Sequence, residues 1–319
     1  MSIHEVPVVK LKQIIKHPNA DALGIVEVFG WTCCIRLGDF KEGDLIAYIP
    51  PDYVCPNTID YEFLGEKKRI KVRKLRGIIS QGLIVKAPEG SKEGDNVIDI
   101  LGIKRYEPPT EVKTSGETEK PPSLWVPVYD VESFNRYPYI IEEGEEVVIS
   151  EKLHGANSRF IYHDNKMYAG SRTEWKRMDD KILWWACIKQ NPIIEEFCRA
   201  NPNTILFGEV FGQVQDLRYG SARGQYFFAA FDNLEGNKWL PFQEFYEKAI
   251  SYKITAVPIL YIGKFSVKMA RELAEGDSSW PGANHLREGV VIKPLEERTS
   301  PEIGRVQLKI VSNRYLERR

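Results

Sequence analysis

The sequence predicts a two-domain α+β chain, a small all-β domain followed by a larger domain that mixes strands and helices. Three observations carry this expectation. The 319 residues amount to about two domains at roughly 150 residues each. One polar stretch, Tyr106 to Ser123 (YEPPTEVKTSGETEKPPS), is bounded by paired prolines and has almost nothing to bury, so it reads as a linker. Before it lie only short β-rich runs; after it both the strand and the helix periods appear. The domains are therefore drawn at 1–105 and 124–319, with 106–123 between them.

Composition narrows the class. The hydrophobic share of 43% and charged share of 28% are those of a folded soluble protein, which excludes a fibrous or wholly disordered chain. No run approaches the ~20 apolar residues of a membrane span, and Met1 to Lys12 lacks the apolar core of a signal peptide. A cytoplasmic protein without membrane or obligatory protein partner is expected. Lys and Arg number 44 against 45 Asp and Glu, so a nucleic-acid site would have to come from local clustering. The five cysteines, Cys33, Cys34, Cys55, Cys187 and Cys198, form no CxxC spacing. They read as free thiols of a reducing compartment, not as zinc ligands.

In the first domain Ile25 to Phe29, Cys33 to Leu37 and Leu45 to Ile49 are β-rich, with Gly30-Trp31 and Gly38-Asp39 as punctuation. His17 to Leu23 (HPNADAL) reads as the start of a short helix. About 105 residues of short strands suit a β-barrel of the OB kind. Arg69 to Leu75 alternates, with Arg69, Lys71 and Arg73 on one face and Ile70 and Val72 on the other. That cationic face suits a phosphate backbone, a pyrophosphate, or simply water.

In the second domain strands are expected at Glu145–Ser150, Ser158–Tyr162, Thr204–Phe211, Gln225–Phe231, Val290–Lys293 and Arg305–Val311. Helices are expected at Lys181–Ala200, Phe242–Tyr252 and Val267–Glu275, with Trp184 and Trp185 as packing residues of the first.

The chemistry concentrates at Glu151-Lys152-Leu153-His154-Gly155-Ala156-Asn157, where an apolar strand runs into a lysine followed three residues later by glycine. Lysine at the end of a buried strand is costly unless its amine has a task. A lysine amine is a nucleophile once it has lost its proton, and glycine lets backbone approach a ligand closely. Alone, KxxG is a weak signal. It is followed in fixed order by Gly170-Ser171-Arg172, Phe207-Gly208-Glu209, Phe231-Asp232, Glu288-Gly289-Val290-Val291-Ile292-Lys293 and Gln307-Leu308-Lys309. Glu209 and Glu288 each lie in an apolar run, where a carboxylate needs a cation or a hydrogen-bonding partner.

In these ordered phrases the sequence resembles the covalent nucleotidyltransferases, and among them the ATP-dependent RNA ligases. EKLHGAN is similar to the nucleophile motif of the RNA ligase 2 group. The OB-like first domain, with IPPDYVCP and LRGIISQGL, looks like the Deinococcus-type and Naegleria-type RNA ligases. The resemblance implies a second domain of antiparallel sheets and helices. It also implies ligation in three steps: Lys152 attacks the α-phosphorus of ATP and expels pyrophosphate, AMP passes to an RNA 5′-phosphate, and a 3′-hydroxyl displaces the AMP.

By the same resemblance Glu151, Lys152, His154, Gly155, Asn157, Arg172, Glu209, Phe231, Glu288, Lys293 and Lys309 form the ATP site. Phe231 would stack on adenine. Glu209 and Glu288 would hold Mg²⁺ or Mn²⁺ through water, and Lys293 and Lys309 would neutralise the α-phosphate. Arg69, Lys71 and Arg73 would meet RNA or pyrophosphate. RNA ends in a nicked duplex are the implied partners, in RNA repair. One departure stands out: many relatives carry two lysines two apart where this chain has Gln307-Leu308-Lys309-Ile310-Val311. Only about ten residues follow Lys309, so the carboxy-terminal OB domain usual in DNA ligases and capping enzymes is not expected. A ligase of other specificity and a non-catalytic RNA-binding protein remain the alternatives.

Overall fold

A computed structural model describes residues 5–51, 53–106 and 117–318. It forms two compact units. One takes the described residues of Ser2–Glu107, Asn135–Pro138 and Asn313–Arg319; the other takes those of Pro108–Phe134 and Tyr139–Ser312. The linear reading assigns 135–138 and the last residues to the second domain, whereas they pack with the first. Arg136 there pairs with Glu5, and Gln81 Nε2 donates to Asn313 Oδ1 at 2.7 Å. A chain that returns to an earlier domain leaves no compositional mark.

In the first unit β1 (Val8–Lys10) pairs with β4 (Leu45–Ile49), which pairs with β7 (Leu83–Lys86). Strand alternation gives β4 two buried faces: Ile46 and Tyr48 join Val26, Val28, Cys33 and Ile35, while Ala47 and Ile49 join Val8, Tyr53 and Ile70. Between them β2 (Leu23–Val28) and β3 (Trp31–Arg36) form a hairpin, as do β5 (Val72–Leu75) and β6 (Ile78–Gln81).

The expected helix at His17–Leu23 is a turn that leads into β2. His17 is buried at 1% exposure. Its ring accepts from the Asn19 backbone N–H at 3.0 Å and meets the Leu75 carbonyl at 3.1 Å, so the side chain ties down the turn and no helix is needed. The short helical element is instead a 3₁₀ turn, Ile59–Leu64. The cationic alternation holds: Ile70 and Val72 are buried, Arg69 and Lys71 are half-buried and Arg73 is exposed. The Arg69 guanidinium lies 3.7 Å from the Tyr106 ring centroid.

The second unit is built on two sheets. The five-stranded sheet runs in the order Glu132–Ser133, β16 (Leu308–Val311), β15 (Gly289–Pro294), β8 (Glu146–Lys152), β14 (Ile259–Lys264). The six-stranded sheet runs β11 (Trp175–Lys176), β10 (Lys166–Gly170), β9 (Ala156–His163), β12 (Thr204–Gly212), β13 (Tyr226–Glu235), Lys238–Trp239. Apart from the parallel pairing of Glu132–Ser133 with β16, the strand pairs in both sheets are antiparallel.

The single helix expected over Lys181–Ala200 is two, α1 (Leu183–Gln190) and α2 (Ile193–Ala200). Pro192 explains the break, because it has no N–H to continue the ladder and disfavours helical backbone at Asn191. Trp184 and Trp185 are core, as expected: both are buried, and their indoles donate to the Asn157 and Lys176 carbonyls at 3.1 and 2.8 Å. Most of the expected linker lies outside the described residues. Of its described end, Glu117 and Glu119 hydrogen-bond along β11 at 2.9 and 3.0 Å instead of running free.

Candidate active site

The turn Leu153-His154-Gly155 carries the chain from β8 of one sheet to β9 of the other, which puts Lys152 at the junction. Two close approaches fix this turn. A Cβ on Gly155 would lie 2.2 Å from the Val210 carbonyl oxygen, and one on Gly289, directly across from Lys152, would lie 2.1 Å from the Ile310 oxygen. No side chain fits at either point.

The Lys152 amine reaches Glu288 Oε1 at 2.7 Å. The other Glu288 oxygen faces His154 Nδ1 at 3.4 Å, and His154 Nε2 faces Asp216 at 2.8 Å. Both imidazole nitrogens thus face carboxylates, an arrangement that is satisfied when both carry protons. Burial pushes the Glu288 carboxyl up, but Lys152 and His154 outweigh it and hold it at about 2. Glu209, at the same junction on β12, goes the other way. Burial dominates and, despite Lys152, pushes its carboxyl up to about 7. Two carboxylates in one site are thereby set far apart: Glu288 is committed to cations already present, while Glu209 is short of one.

Glu209 stands opposite Asn157 in the ladder between β9 and β12. Asn157 Oδ1 and Gln215 Oε1 are buried without a hydrogen bond among the described residues. Gln215 donates to the Gly155 carbonyl at 2.5 Å. Buried polar atoms left open beside a lysine are the mark of a site that a ligand completes.

Arg172 follows β10 and pairs with Asp130 at 2.8 Å. Phe231 is the extra residue of a bulge in β13, since Asp232 opposes Phe207 and Ala230 opposes Gly208. It is half-buried, with its ring 4.6 Å from that of Tyr129.

The antiparallel registers put Lys152, Lys293 and Lys309 on one face of the five-stranded sheet. Lys152 opposes Gly289, Val148 opposes Lys293, and Val291 lies between Ser150 and Lys309. The same alternation sends Glu151 to the opposite face, where Ser278 Oγ and the Ser279 N–H donate to its carboxylate at 2.5 and 2.6 Å. Both carboxylate oxygens of Glu151, expected at the nucleotide, are held by this loop. Lys293 is also committed elsewhere, to Asp232 at 3.0 Å and the Phe231 carbonyl at 3.1 Å. It ties the bulge that carries Phe231 to Asp232.

Sequence reading misses the partners of these residues. Asp232 is fully buried. Arg305 grips it with both terminal nitrogens, at 2.8 and 3.0 Å, and Tyr129 donates to it at 2.5 Å. Asp216 behind His154 and Arg159 on β9 are missed as well. None of these four, Tyr129, Arg159, Asp216 and Arg305, sits in one of the ordered phrases.

A lysine at a sheet junction, two carboxylates of opposite character and buried polar atoms without partners make a candidate site for group transfer. Comparison with known proteins agrees with that class. A family model described as RNA ligase matches residues 145–311, more than half of the chain, and an OB-fold domain model matches residues 5–87. The chain belongs to the RNA ligase family: it is a ligase with an amino-terminal OB-fold domain.

Solved structures of Naegleria gruberi RNA ligase are similar over almost the whole chain. An arginine-to-alanine mutant with ATP and Mn is 27% identical, with 98% of this chain and 97% of that chain covered and a TM-score of 0.82. A lysine-to-alanine mutant with ATP and Mn is 26% identical, with 98% of both chains covered and a TM-score of 0.80. A glutamate-to-alanine mutant with AMP and Mn is 27% identical, with coverage of 98% and 97% and a TM-score of 0.81. No curated protein sequence gives a significant match.

Proposed function

We propose that this enzyme joins an RNA 3′-hydroxyl to a 5′-phosphate with ATP, through AMP carried on Lys152. The observation that carries the reading is the placement of the Lys152 amine, 2.7 Å from Glu288 at the junction where Glu209, Asn157 and Gln215 offer unfilled capacity. In the first step the Lys152 nitrogen forms a bond to the α-phosphorus, its proton leaves, and the bond to pyrophosphate breaks. Lys309, on the same sheet face, offsets charge on the phosphate oxygens. Arg172 serves the nucleotide once it is turned from Asp130, and Phe231 presents its ring to the base.

The donor set fits a hydrated divalent ion. Among the described residues no group of three or more His, Cys, Asp or Glu side chains could hold a metal ion. Glu209, short of a cation, suits Mg²⁺ or Mn²⁺ that keeps several waters, with Glu288 reached through one of them. Bound there, such an ion would offset phosphate charge and supply the cation that Glu209 lacks.

Incubation with α-labelled ATP and Mg²⁺ or Mn²⁺ tests the reading directly. A labelled protein band is expected with ATP and not with GTP, because a stacking ring accepts either purine and the base edge must select. Efficient labelling by GTP would move the enzyme to the capping class. The natural substrate we infer is a nicked duplex, since sealing requires both ends held together. Faster sealing of an RNA nick than of a DNA nick is the expected comparison.

We place the RNA grip on the first unit, at Arg69, Lys71 and Arg73. Replacing all three with alanine should leave the adenylate on Lys152 intact and slow nick sealing. It should also flatten the salt dependence of RNA binding, by ~0.7 to 0.9 in log affinity per log salt for each phosphate that is no longer neutralised. Loss of adenylation instead would assign the strand to pyrophosphate.

The free cysteines, four buried and Cys34 half-buried, fit a cytoplasmic enzyme. No helix among the described residues is long and apolar enough to cross a membrane.

A further inference from the structure

Arg159 is out of place as a structural residue. It sits in the middle of β9, 3% exposed, opposite Phe207 on one side and Gly170 on the other. Its guanidinium lies 4.4 Å from the ring centroid of Trp175. Its Nε is buried without a hydrogen bond among the described residues. Burial alone lowers its pKa to about 10, with no carboxylate nearby to oppose that. An aromatic face repays part of the desolvation of a cation. It leaves the in-plane Nε–H unused, and a buried guanidinium with an unused donor is expensive.

The sheet register says what that donor faces. Arg159, Phe207 and Asp232 form one row across β9, β12 and β13, with Phe231 bulged at its end. The row with Asn157 and Glu209 lies two residues, about 7 Å, nearer to Lys152. A nucleotide whose α-phosphorus meets Lys152 and whose ribose lies by Glu209 therefore has its base in the row of Arg159 and Phe231.

We propose that Arg159 is the base-edge contact of the nucleotide site, donating from its guanidinium to an unprotonated ring nitrogen of adenine while Phe231 covers the ring. This rests on the reading of Lys152 as the adenylated nucleophile. Trp175 fixes the plane of the guanidinium from behind, so the donors are aimed before the base arrives and little freedom is lost on binding.

The test is formation of the protein–nucleotide adduct by the full chain with ATP, 1-deaza-ATP, 3-deaza-ATP and 7-deaza-ATP, each analogue lacking one ring nitrogen. At subsaturating nucleotide, one of the three analogues should react about 10- to 100-fold more slowly than ATP, the value of one hydrogen bond to a charged donor. In Arg159→Gln the rate with ATP should fall by a similar factor, and the penalty for that analogue should vanish. Arg159→Lys keeps the charge over Trp175 without the planar fork, so it should lose the discrimination while melting near the parent temperature. The proposal is overturned if all three analogues react as fast as ATP, or if the penalty survives in Arg159→Gln. It is equally overturned if Arg159→Gln impairs only transfer of AMP to RNA. Absence of any adduct with ATP in the parent enzyme would overturn the reading of Lys152 instead.

Discussion

Lys152→Ala should form no covalent AMP adduct and should not join an ordinary 5′-phosphate end. The amine is the atom that bonds to phosphorus, so its removal takes away the reaction path and not a contribution to it. The same variant should still seal an RNA end that is already adenylylated, because a 3′-hydroxyl is then the nucleophile and Lys152 forms no bond. Some loss in that last step is expected, since Glu288 loses its 2.7 Å partner. Labelled-ATP gels and single-turnover sealing of a pre-adenylylated nick measure the two outcomes. An adduct that persists in the variant would remove Lys152 from the role assigned to it.

The split between what can be read from the sequence and what cannot follows from chain distance. Lys152, His154, Gly155 and Asn157 lie in one phrase. Glu209 and Glu288 are conspicuous because a carboxylate in an apolar strand needs a reason. The strand Leu45–Ile49 is legible to the residue, because turn residues bracket it. Elsewhere local rules are overridden. His17 anchors its turn to a carbonyl 58 positions away, which no propensity for helix starts can register. Pro192 breaks an otherwise helical pattern that reads as continuous. Face assignments need the sheet: Glu151 and Lys152 are neighbours in sequence, yet alternation sends one to a serine loop and the other to the site.

The cluster around Asp232 is hidden for the same reason. It joins Tyr129, Asp232, Lys293 and Arg305, residues from four separate segments. Its composition sets a large stability effect. Burial alone would raise the Asp232 carboxyl, but Arg305 and Lys293 outweigh it and hold it below its ordinary value. Asp232→Ala leaves both cations buried without this partner, and removal of one side of a buried pair costs about 3–5 kcal/mol. Arg305 keeps Glu297 at 2.7 Å, so the lower end of that range is expected. Urea unfolding should show the loss as a lower midpoint with an unchanged slope. The bulge bearing Phe231 should loosen with it, because Lys293 also holds the Phe231 carbonyl.

The pH dependence has a definite sign. A carboxyl depressed in the folded state contributes stability that is present above its unfolded pKa, near 3.8 for Asp232. That contribution is lost as pH falls from there through the lowered native value. The parent should therefore lose stability more steeply than Asp232→Asn as pH drops below about 4. Parallel acid-unfolding curves for the two proteins would mean that the ion cluster does not hold this corner of the site together.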